Sequence, residues 1–159
     1  MRVLRAFILA VFLMPTTLIT AQEIGIFDRF MLWSECKPLP LTVEDLGVGD
    51  DAEKISLSKE AIETAIRSRM RAARIYSENT KNIFLYVNVI IVGNAFNITA
   101  ELRKVVTDQA SSNIGWAATW DIGFTGTHGN IANFIISSVA QVTDKFIDEY
   151  LRVNEAACG

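Results

Sequence analysis

Two stretches of the chain carry apolar residues at the spacing of an amphipathic helix, and each predicts one helix. The first runs from Ser58 to Tyr76, with Ser58 placed to act as the N-cap. The second runs from about Asn130 to Asn154. Its apolar residues form a single stripe, made of Ile131, Phe134, Ile135, Val142, Phe146, Tyr150 and Val153. Each helix therefore has one face to bury and one face for solvent.

Three stretches between these helices predict an antiparallel meander. Residues 83–92 are mainly β-branched and aromatic and are apolar on nearly both faces, which predicts a central strand. Gly93-Asn94 follows as a two-residue turn, and residues 96–103 then alternate apolar and polar positions, as a strand with one solvent-facing side does. Residues 116–125 alternate again and predict the third strand of the meander.

Two tryptophans, Trp116 and Trp120, stand on that third strand at the spacing of a single strand face. We expect both to pack in the core beneath the second helix, because aromatic side chains at strand period usually contribute to a core. The alternative is that their aromatic rings form a platform on which a sugar stacks. The sequence pattern alone leaves both interpretations open.

The remaining segments complete the predicted fold. Residues 38–43 suit a short edge strand, because their prolines cannot donate to a central ladder. The acidic residues 44–53 lack the ligand spacing of an EF-hand and predict a solvated loop. Together these elements predict an α+β fold of order β-α-β-β-β-α. It is a two-layer sandwich with a mainly antiparallel sheet of three or four strands, and both helices pack on one face.

The first 21 residues have the pattern of a signal peptide. Arg2 and Arg5 give a basic start, an apolar run covers residues 6–14, and small residues lead to Ala21. The apolar run is too short for a membrane span, so we expect none after cleavage before Gln22. Residues 22–159 contain no repeat or proline-rich linker and predict a single domain, exported to the periplasm or secreted.

Composition places that domain among ordinary globular proteins. The chain of 159 residues is 50% hydrophobic with a formal net charge of −3, which excludes disordered and collagen-like classes. Its two cysteines, Cys36 and Cys158, would meet an oxidising compartment after export, and we expect a structural disulfide; free or intermolecular thiols are the alternative. With one histidine and no C-x-x-C motif, neither a metal nor another cofactor is expected.

A glycine-rich segment, Gly123 to Gly129, lies between the third strand and the second helix. Its residues Gly126, Thr127, His128 and Gly129 are candidate anion-binding residues, because backbone amides at a helix N-terminus favour negative charge. The alternative is a strand-to-helix turn with no ligand. The spacing matches neither a dinucleotide-binding motif nor a phosphate-binding loop.

The same segment carries the single histidine of the chain. His128 paired with Asp121 or Asp144 would make a hydrolase, but no serine elbow or zinc-protease motif accompanies it. We therefore expect the chain not to be an enzyme.

Four arginines, Arg67, Arg69, Arg71 and Arg74, lie on the polar side of the first helix. Nucleic acid is not expected as a partner, because the chain is acidic and exported and this helix face lacks interleaved aromatics. A solvated helix face is the simpler interpretation. Arg67, Arg71 and Arg74 remain candidate contacts for an anionic lipid headgroup or glycan.

Several pieces of the mature chain resemble a family of small, uncharacterised exported bacterial proteins. These pieces are Trp33-x-x-Cys36-x-Pro38, Ser68-Arg69-x-Arg71 to Tyr76, Leu85 to Val89, Thr119-Trp120, Gly126 to Gly129, and Glu149 to Asn154 with Cys158. The resemblance implies export and no assigned activity. In element order alone the chain is similar to the N-terminal domain of the translocation protein TolB and to outer-membrane lipoprotein activators of penicillin-binding proteins. Those modules bind proteins, which implies an envelope protein partner.

These observations favour a non-catalytic binding or accessory domain of the cell envelope. One alternative is a protein that binds an anion, glycan or lipid through the Gly123–Gly129 turn or the strand that carries Trp116 and Trp120. The other alternative is a hydrolase centred on His128.

Overall fold

The computed structural model describes residues 24–46 and 50–158 of the chain. The predicted signal peptide, residues 1–21, lies outside the described residues. Eight elements follow one another along the chain. They are α1 (Ile26–Leu32), β1 (Leu41–Val43), α2 (Asp51–Lys54), α3 (Lys59–Ala72), β2 (Ile83–Val92), β3 (Ala95–Thr107), β4 (Ile114–Thr127) and α4 (Ala132–Cys158).

The strands form one four-stranded mixed sheet in the order β1-β2-β3-β4. The short strand β1 pairs in parallel with β2, whereas β2, β3 and β4 are antiparallel neighbours. The predicted α+β fold is confirmed, including the order β-α-β-β-β-α of its main elements and the edge position of β1. The short helices α1 and α2 are additions to the predicted plan.

One face of the sheet is buried and carries the helices. The odd positions of β2 and the even positions of β3 point into the core, from Ile83 to Ile91 and from Phe96 to Leu102. Helices α3 and α4 pack on this face and against each other. The strand β2 is central as predicted, although only its core face is fully buried. We call the opposite side, towards which Tyr86 and Glu101 point, the open face.

Helix α3 begins as predicted and ends earlier than predicted. The Oγ atom of Ser58 accepts a hydrogen bond from the Ala61 amide at 3.2 Å. At the other end, Arg74 adopts a left-handed backbone with φ +59°, and the amide of Ile75 turns back to the Met70 carbonyl. The chain then leaves the helix, so that Tyr76 joins Leu39 in an isolated bridge rather than extending the apolar stripe.

The two short helices lack the signal that identified the long ones. In α1 only Leu32 is buried, while Ile26, Phe27 and Phe30 face solvent, so no inward apolar stripe marks it in the sequence. In the acidic stretch predicted as a loop, α2 occupies Asp51–Lys54. Residues 47–49 of that stretch lie outside the described residues.

The C-terminal half of α4 holds the segment that follows α1. Tyr150, Asn154 and Cys158 lie four residues apart and therefore share one helix face. Cys158 is joined to Cys36, with the two Cα atoms 5.2 Å apart. Tyr150 donates its hydroxyl hydrogen to the Lys37 carbonyl at 2.7 Å, and burial raises the pKa of this hydroxyl. We call Tyr150, Asn154 and Cys158 the α4 clamp.

Lys104 completes the attachment of α1 from the side of the sheet. Its Nζ atom donates hydrogen bonds to the carbonyls of Phe30 and Trp33, at 3.0 and 2.9 Å. These carbonyls lie at the C-terminal end of α1, where helical carbonyls lack partners within the helix. Burial of the ammonium group lowers the pKa of Lys104 from 10.5 to about 8.

This lowered pKa predicts a specific pH dependence of stability. Between the folded pKa of about 8 and the ordinary value of 10.5, the unfolded chain binds more protons at Lys104 than the folded chain does. The free energy of unfolding should therefore rise with pH across that window, relative to a Lys104→Met variant that cannot titrate there. We expect a relative gain of order 1 kcal/mol, because solvent screens a half-buried group. Urea unfolding of both proteins at two pH values within the window measures it, and a constant difference would contradict the assignment.

Candidate functional site: an aromatic groove on the open face

The open face of the sheet carries aromatic side chains that the helices do not cover. Phe84 and Tyr86 lie on this side of β2, and Trp116 lies on the same side of β4. Trp116 is 54% exposed, whereas a large aromatic side chain is usually buried for most of its surface. Exposed aromatic side chains that cluster on one face mark a candidate binding surface.

A β-bulge explains why Trp116 faces solvent. Leu102 pairs with Trp120, but the next residue of β3, Arg103, pairs with Ala118, so that Thr119 is an extra residue in β4. The bulge reverses the alternation of β4 at that point. The prediction that both tryptophans pack in the core is therefore wrong for Trp116.

Trp120 occupies the position expected of it. Its ring lies 5.2 Å from the ring of Phe146 on α4, measured between centroids. Its indole Nε1 donates a hydrogen bond to the Glu149 carboxylate at 2.8 Å. The ring is therefore packed within the fold, and the indole N–H has a hydrogen-bond partner there.

The groove itself begins at an edge-to-face contact between Phe84 and Trp116, whose ring centroids are 5.0 Å apart. It is a shallow depression of about 380 Å³. The rest of its lining is mainly polar and consists of Pro40, Thr42, Thr80, Lys81, Asn82 and Ile83. Lys81 is exposed and forms no salt bridge with any residue that the structure describes. The groove thus combines an aromatic wall with hydroxyl, amide and ammonium groups.

A rigid polar cluster continues the groove along the open face. The Arg103 guanidinium lies over the Tyr86 ring, 3.7 Å from its centroid, in cation–π geometry. The Nε atom of the same guanidinium donates to the Glu101 carboxylate at 2.7 Å. Because both contacts fix the plane of Arg103, its remaining N–H groups have a defined direction. Such preorganised donors lower the ordering cost of binding a ligand.

The glycine-rich segment adopts a turn in which His128 is 3% exposed. The His128 Nδ1 atom accepts a hydrogen bond from the Asn130 amide at 3.0 Å. Its Nε2 atom lies 2.9 Å from the Gly93 carbonyl and must therefore carry the proton and donate. Both ring nitrogens are thus engaged by backbone groups.

The turn between β2 and β3 is held by these contacts. The Asp51 carboxylate accepts a hydrogen bond from the Gly93 amide at 3.0 Å. Lys54 and this amide hold the pKa of Asp51 below its usual range. His128 therefore belongs to a network that joins the β2–β3 turn to the start of α4 and to α2.

The other candidate anion-binding residues of the Gly123–Gly129 segment are held in place by packing, backbone conformation or strand pairing. A Cβ atom at Gly126 would come within 3.1 Å of the Phe96 ring, so the position has little room for a side chain. Gly129 has φ +53°, a conformation that favours glycine. Thr127 is the last residue of β4 and pairs with Ala95.

The two carboxylates considered as partners of His128 lie elsewhere. Asp121 pairs with Glu101 across the sheet and is exposed. Asp144 forms a salt bridge with Arg69 at 2.9 Å. Among the described residues, neither carboxylate is a hydrogen-bond partner of His128.

The candidate arginines in and just after α3 are distributed among separate contacts. Arg67 pairs with Glu63 at 2.9 Å, and Arg71 lies over the Tyr76 ring, 5.0 Å from its centroid. These two arginines line a shallow cleft together with Thr64 and Ser68. Arg74 is the left-handed residue that ends the helix. The structure therefore places Arg67 and Arg71 together and Arg74 apart from their cleft.

The described residues provide neither a cluster of metal ligands nor a helix suited to a membrane. Over residues 24–46 and 50–158, no group of three or more histidine, cysteine, aspartate or glutamate side chains is arranged to hold a metal ion. Within the same part of the chain, no helix combines the length and the apolar character that crossing a membrane requires.

Comparison with known proteins identifies no family for this chain. No protein-family model matches the chain, and no curated protein matches its sequence. Among solved structures, the chain is similar to a minor lipoprotein from Acinetobacter baumannii, with 14% sequence identity and a TM-score of 0.25. That similarity covers 76% of this chain and 91% of the lipoprotein. A likeness this weak bears on neither fold nor function.

Proposed function

We propose that this chain is a non-catalytic binding domain of an exported envelope protein, and that it binds a glycan in the groove beside Phe84 and Trp116. The observation that carries the proposal is the exposed Trp116 ring, which the bulge at Thr119 turns away from the core and onto the open face. Export rests on the signal-peptide pattern of residues 1–21 and on the pairing of Cys36 with Cys158.

The chemistry of the groove favours a sugar over a purely apolar ligand. An aromatic wall provides a flat apolar surface against which the C–H face of a sugar ring can pack. Hydroxyl and amide groups from Thr42, Thr80 and Asn82 lie around it, as the hydroxyls of a sugar require. Lys81 adds a positive charge at the rim, which favours a glycan that carries a carboxylate.

Calorimetric titration of the mature protein tests this proposal with two matched sugars. A peptidoglycan tetrasaccharide without peptide carries lactyl carboxylates, whereas chitotetraose has the same sugar backbone and linkage without them. We expect the peptidoglycan sugar to bind and the Trp116→Ala variant to bind it at least about tenfold more weakly. A Lys81→Gln variant should lose the preference for the acidic sugar.

Phe27→Ala is the matched control, because Phe27 is also a highly exposed aromatic residue but lies on α1. It should leave the affinity unchanged. The proposal fails if neither sugar binds, if Trp116→Ala binds as the wild type does, or if Phe27→Ala weakens binding as much as Trp116→Ala.

A further inference from the structure

The outer edge of β4 is a second surface that the groove does not use. The sheet order β1-β2-β3-β4 gives β4 a single neighbour, β3. At the opposite edge, β1 is only 3 residues long, whereas β4 is 14 residues long. A strand edge presents a row of backbone N–H and C=O groups that can pair with another strand.

The register identifies which of these groups point outward. The amide of His128 donates to the Asn94 carbonyl, immediately beyond the pairing of Thr127 with Ala95. Since hydrogen-bonded residues alternate along an antiparallel pair, the even positions from 120 to 128 bond to β3. The backbone groups of the odd positions therefore point away from the sheet. These positions are Asp121, Gly123, Thr125 and Thr127, and all four are exposed.

This stretch lacks the features that normally prevent edge pairing. The whole of β4 contains no lysine, arginine or proline, and Asp121 is its one charged residue. The bulge limits the free edge at its other end, because Thr119 is buried and donates its hydroxyl hydrogen to the Met31 carbonyl at 2.7 Å. The regular, unprotected part of the edge is therefore residues 121–127.

Apolar side chains are exposed at the same edge, on the helix side of the sheet. Phe124 is 42% exposed, and beyond the end of β4 Ile131 and Phe134 are 58% and 47% exposed. Phe124 and Phe134 both pack against the Phe96 ring, with centroid distances of 5.8 and 5.9 Å. A partner strand on β4 would cover Phe124 directly.

We propose that this edge pairs with the same edge of a second copy of the chain, antiparallel and centred on Phe124. The centre follows from the free stretch, since Phe124 is the midpoint of residues 121–127. In this register Asp121 lies opposite the Thr127 of the second copy, and Gly123 lies opposite its Thr125. No like charges meet, and the two Phe124 side chains meet on the helix side of one continuous sheet.

Self-complementarity is the reason to favour a second copy over a strand of another protein. The two-fold axis that relates antiparallel edge strands is perpendicular to the sheet, so both helix layers lie on the same side. The exposed Phe124 and Phe134 of both copies are then on the same side of the joined sheet. The open-face groove is left accessible in this arrangement.

Sedimentation of the mature protein over a range of concentrations tests the pairing, with a variant designed for this register. In the Gly123→Lys/Thr125→Lys variant, each new lysine would lie opposite a lysine of the second copy, which gives two repulsive pairs in the dimer. This variant should raise the dimer dissociation constant about tenfold or more. A Cβ atom at Gly123 has ordinary van der Waals contacts, with 3.7 Å to its nearest neighbour. The control, Ile114→Lys/Gly115→Lys, adds the same charge before the bulge and should dimerise like the wild type.

Hydrogen exchange of the wild-type protein makes the result independent of how well the variants fold. The outward amides of Asp121, Gly123, Thr125 and Thr127 should exchange fast in dilute solution and become protected as concentration rises. A protein that stays monomeric up to about millimolar concentration, or a dimer in which these amides remain unprotected, would overturn the proposal. So would a lysine variant that folds and dimerises as the control does.

Discussion

Replacing Asn154 with alanine is expected to lower the free energy of unfolding by about 3–5 kcal/mol. The Asn154 side chain is fully buried, and its Oδ1 atom accepts hydrogen bonds from the amides of Ser34 and Cys36 at 2.9 and 3.2 Å. Its Nδ2 atom donates to the carbonyls of Leu32 and Tyr150 at 3.0 and 2.8 Å. Alanine would leave several of these buried groups unpaired, and each costs about 1–3 kcal/mol.

Urea unfolding monitored by circular dichroism measures this loss. Asn79→Ala is a suitable control, because Asn79 is exposed and its side chain holds no comparable set of backbone groups. It should change the free energy of unfolding by less than about 0.5 kcal/mol. A loss below about 1 kcal/mol for Asn154→Ala would mean that Asn154 does not hold the segment after α1 in the way described.

Removing the disulfide with Cys36→Ser/Cys158→Ser should cost about 2–5 kcal/mol. The bond links residues separated by 122 positions, so it restricts most of the described part of the chain in the unfolded state. Unfolding of the wild-type protein with and without reductant provides the comparison. Reduced wild type should match the double variant. A wild-type protein whose unfolding does not respond to reductant would contradict the role of this bond.

The long elements of the fold were predictable because each carries its period in the sequence. The strand β2 extends from Ile83 to Val92, as its run of β-branched and aromatic residues predicts, and Gly93-Asn94 forms the turn that follows it. Helix α4 buries the predicted apolar stripe from Ile135 to Val153 and continues to Cys158. The first two residues of that stripe are not buried, since Ile131 precedes the helix and both Ile131 and Phe134 are exposed. In these segments local preference and tertiary packing favour the same structure.

The sequence suggested a sugar-stacking surface at Trp116 only as an alternative, because the exposure of Trp116 depends on one irregular residue. Trp116 and Trp120 have the spacing of a single strand face, and nothing in their neighbourhood indicates that Thr119 is inserted between them. The bulge becomes visible only when β4 is paired with β3. Sequence alternation therefore placed Trp116 on the core face of the sheet. The aromatic wall that Trp116 forms with Phe84 on the open face was missed for the same reason.

Asn154 is the member of the α4 clamp that was not predicted from the sequence, whereas the bond between Cys36 and Cys158 was expected. Asn154 is polar and stands at the predicted end of a helix, where exposure is the usual expectation. One signal was present in the sequence. Asn154 follows Phe146 and Tyr150 at four-residue spacing and precedes Cys158 at the same spacing, which places it in the buried stripe.

The central claim, that the open-face groove binds a glycan, is tested most directly by the indole N–H resonances of Trp33, Trp116 and Trp120 in a nitrogen-15 NMR titration. Trp116 lies in the groove, whereas the Trp120 indole is hydrogen-bonded to Glu149 beneath α4. On addition of the peptidoglycan tetrasaccharide, the resonance of Trp116 should shift progressively while that of Trp120 stays in place. A titration to saturating sugar that leaves Trp116 unmoved, or that shifts all three resonances equally, would contradict the claim.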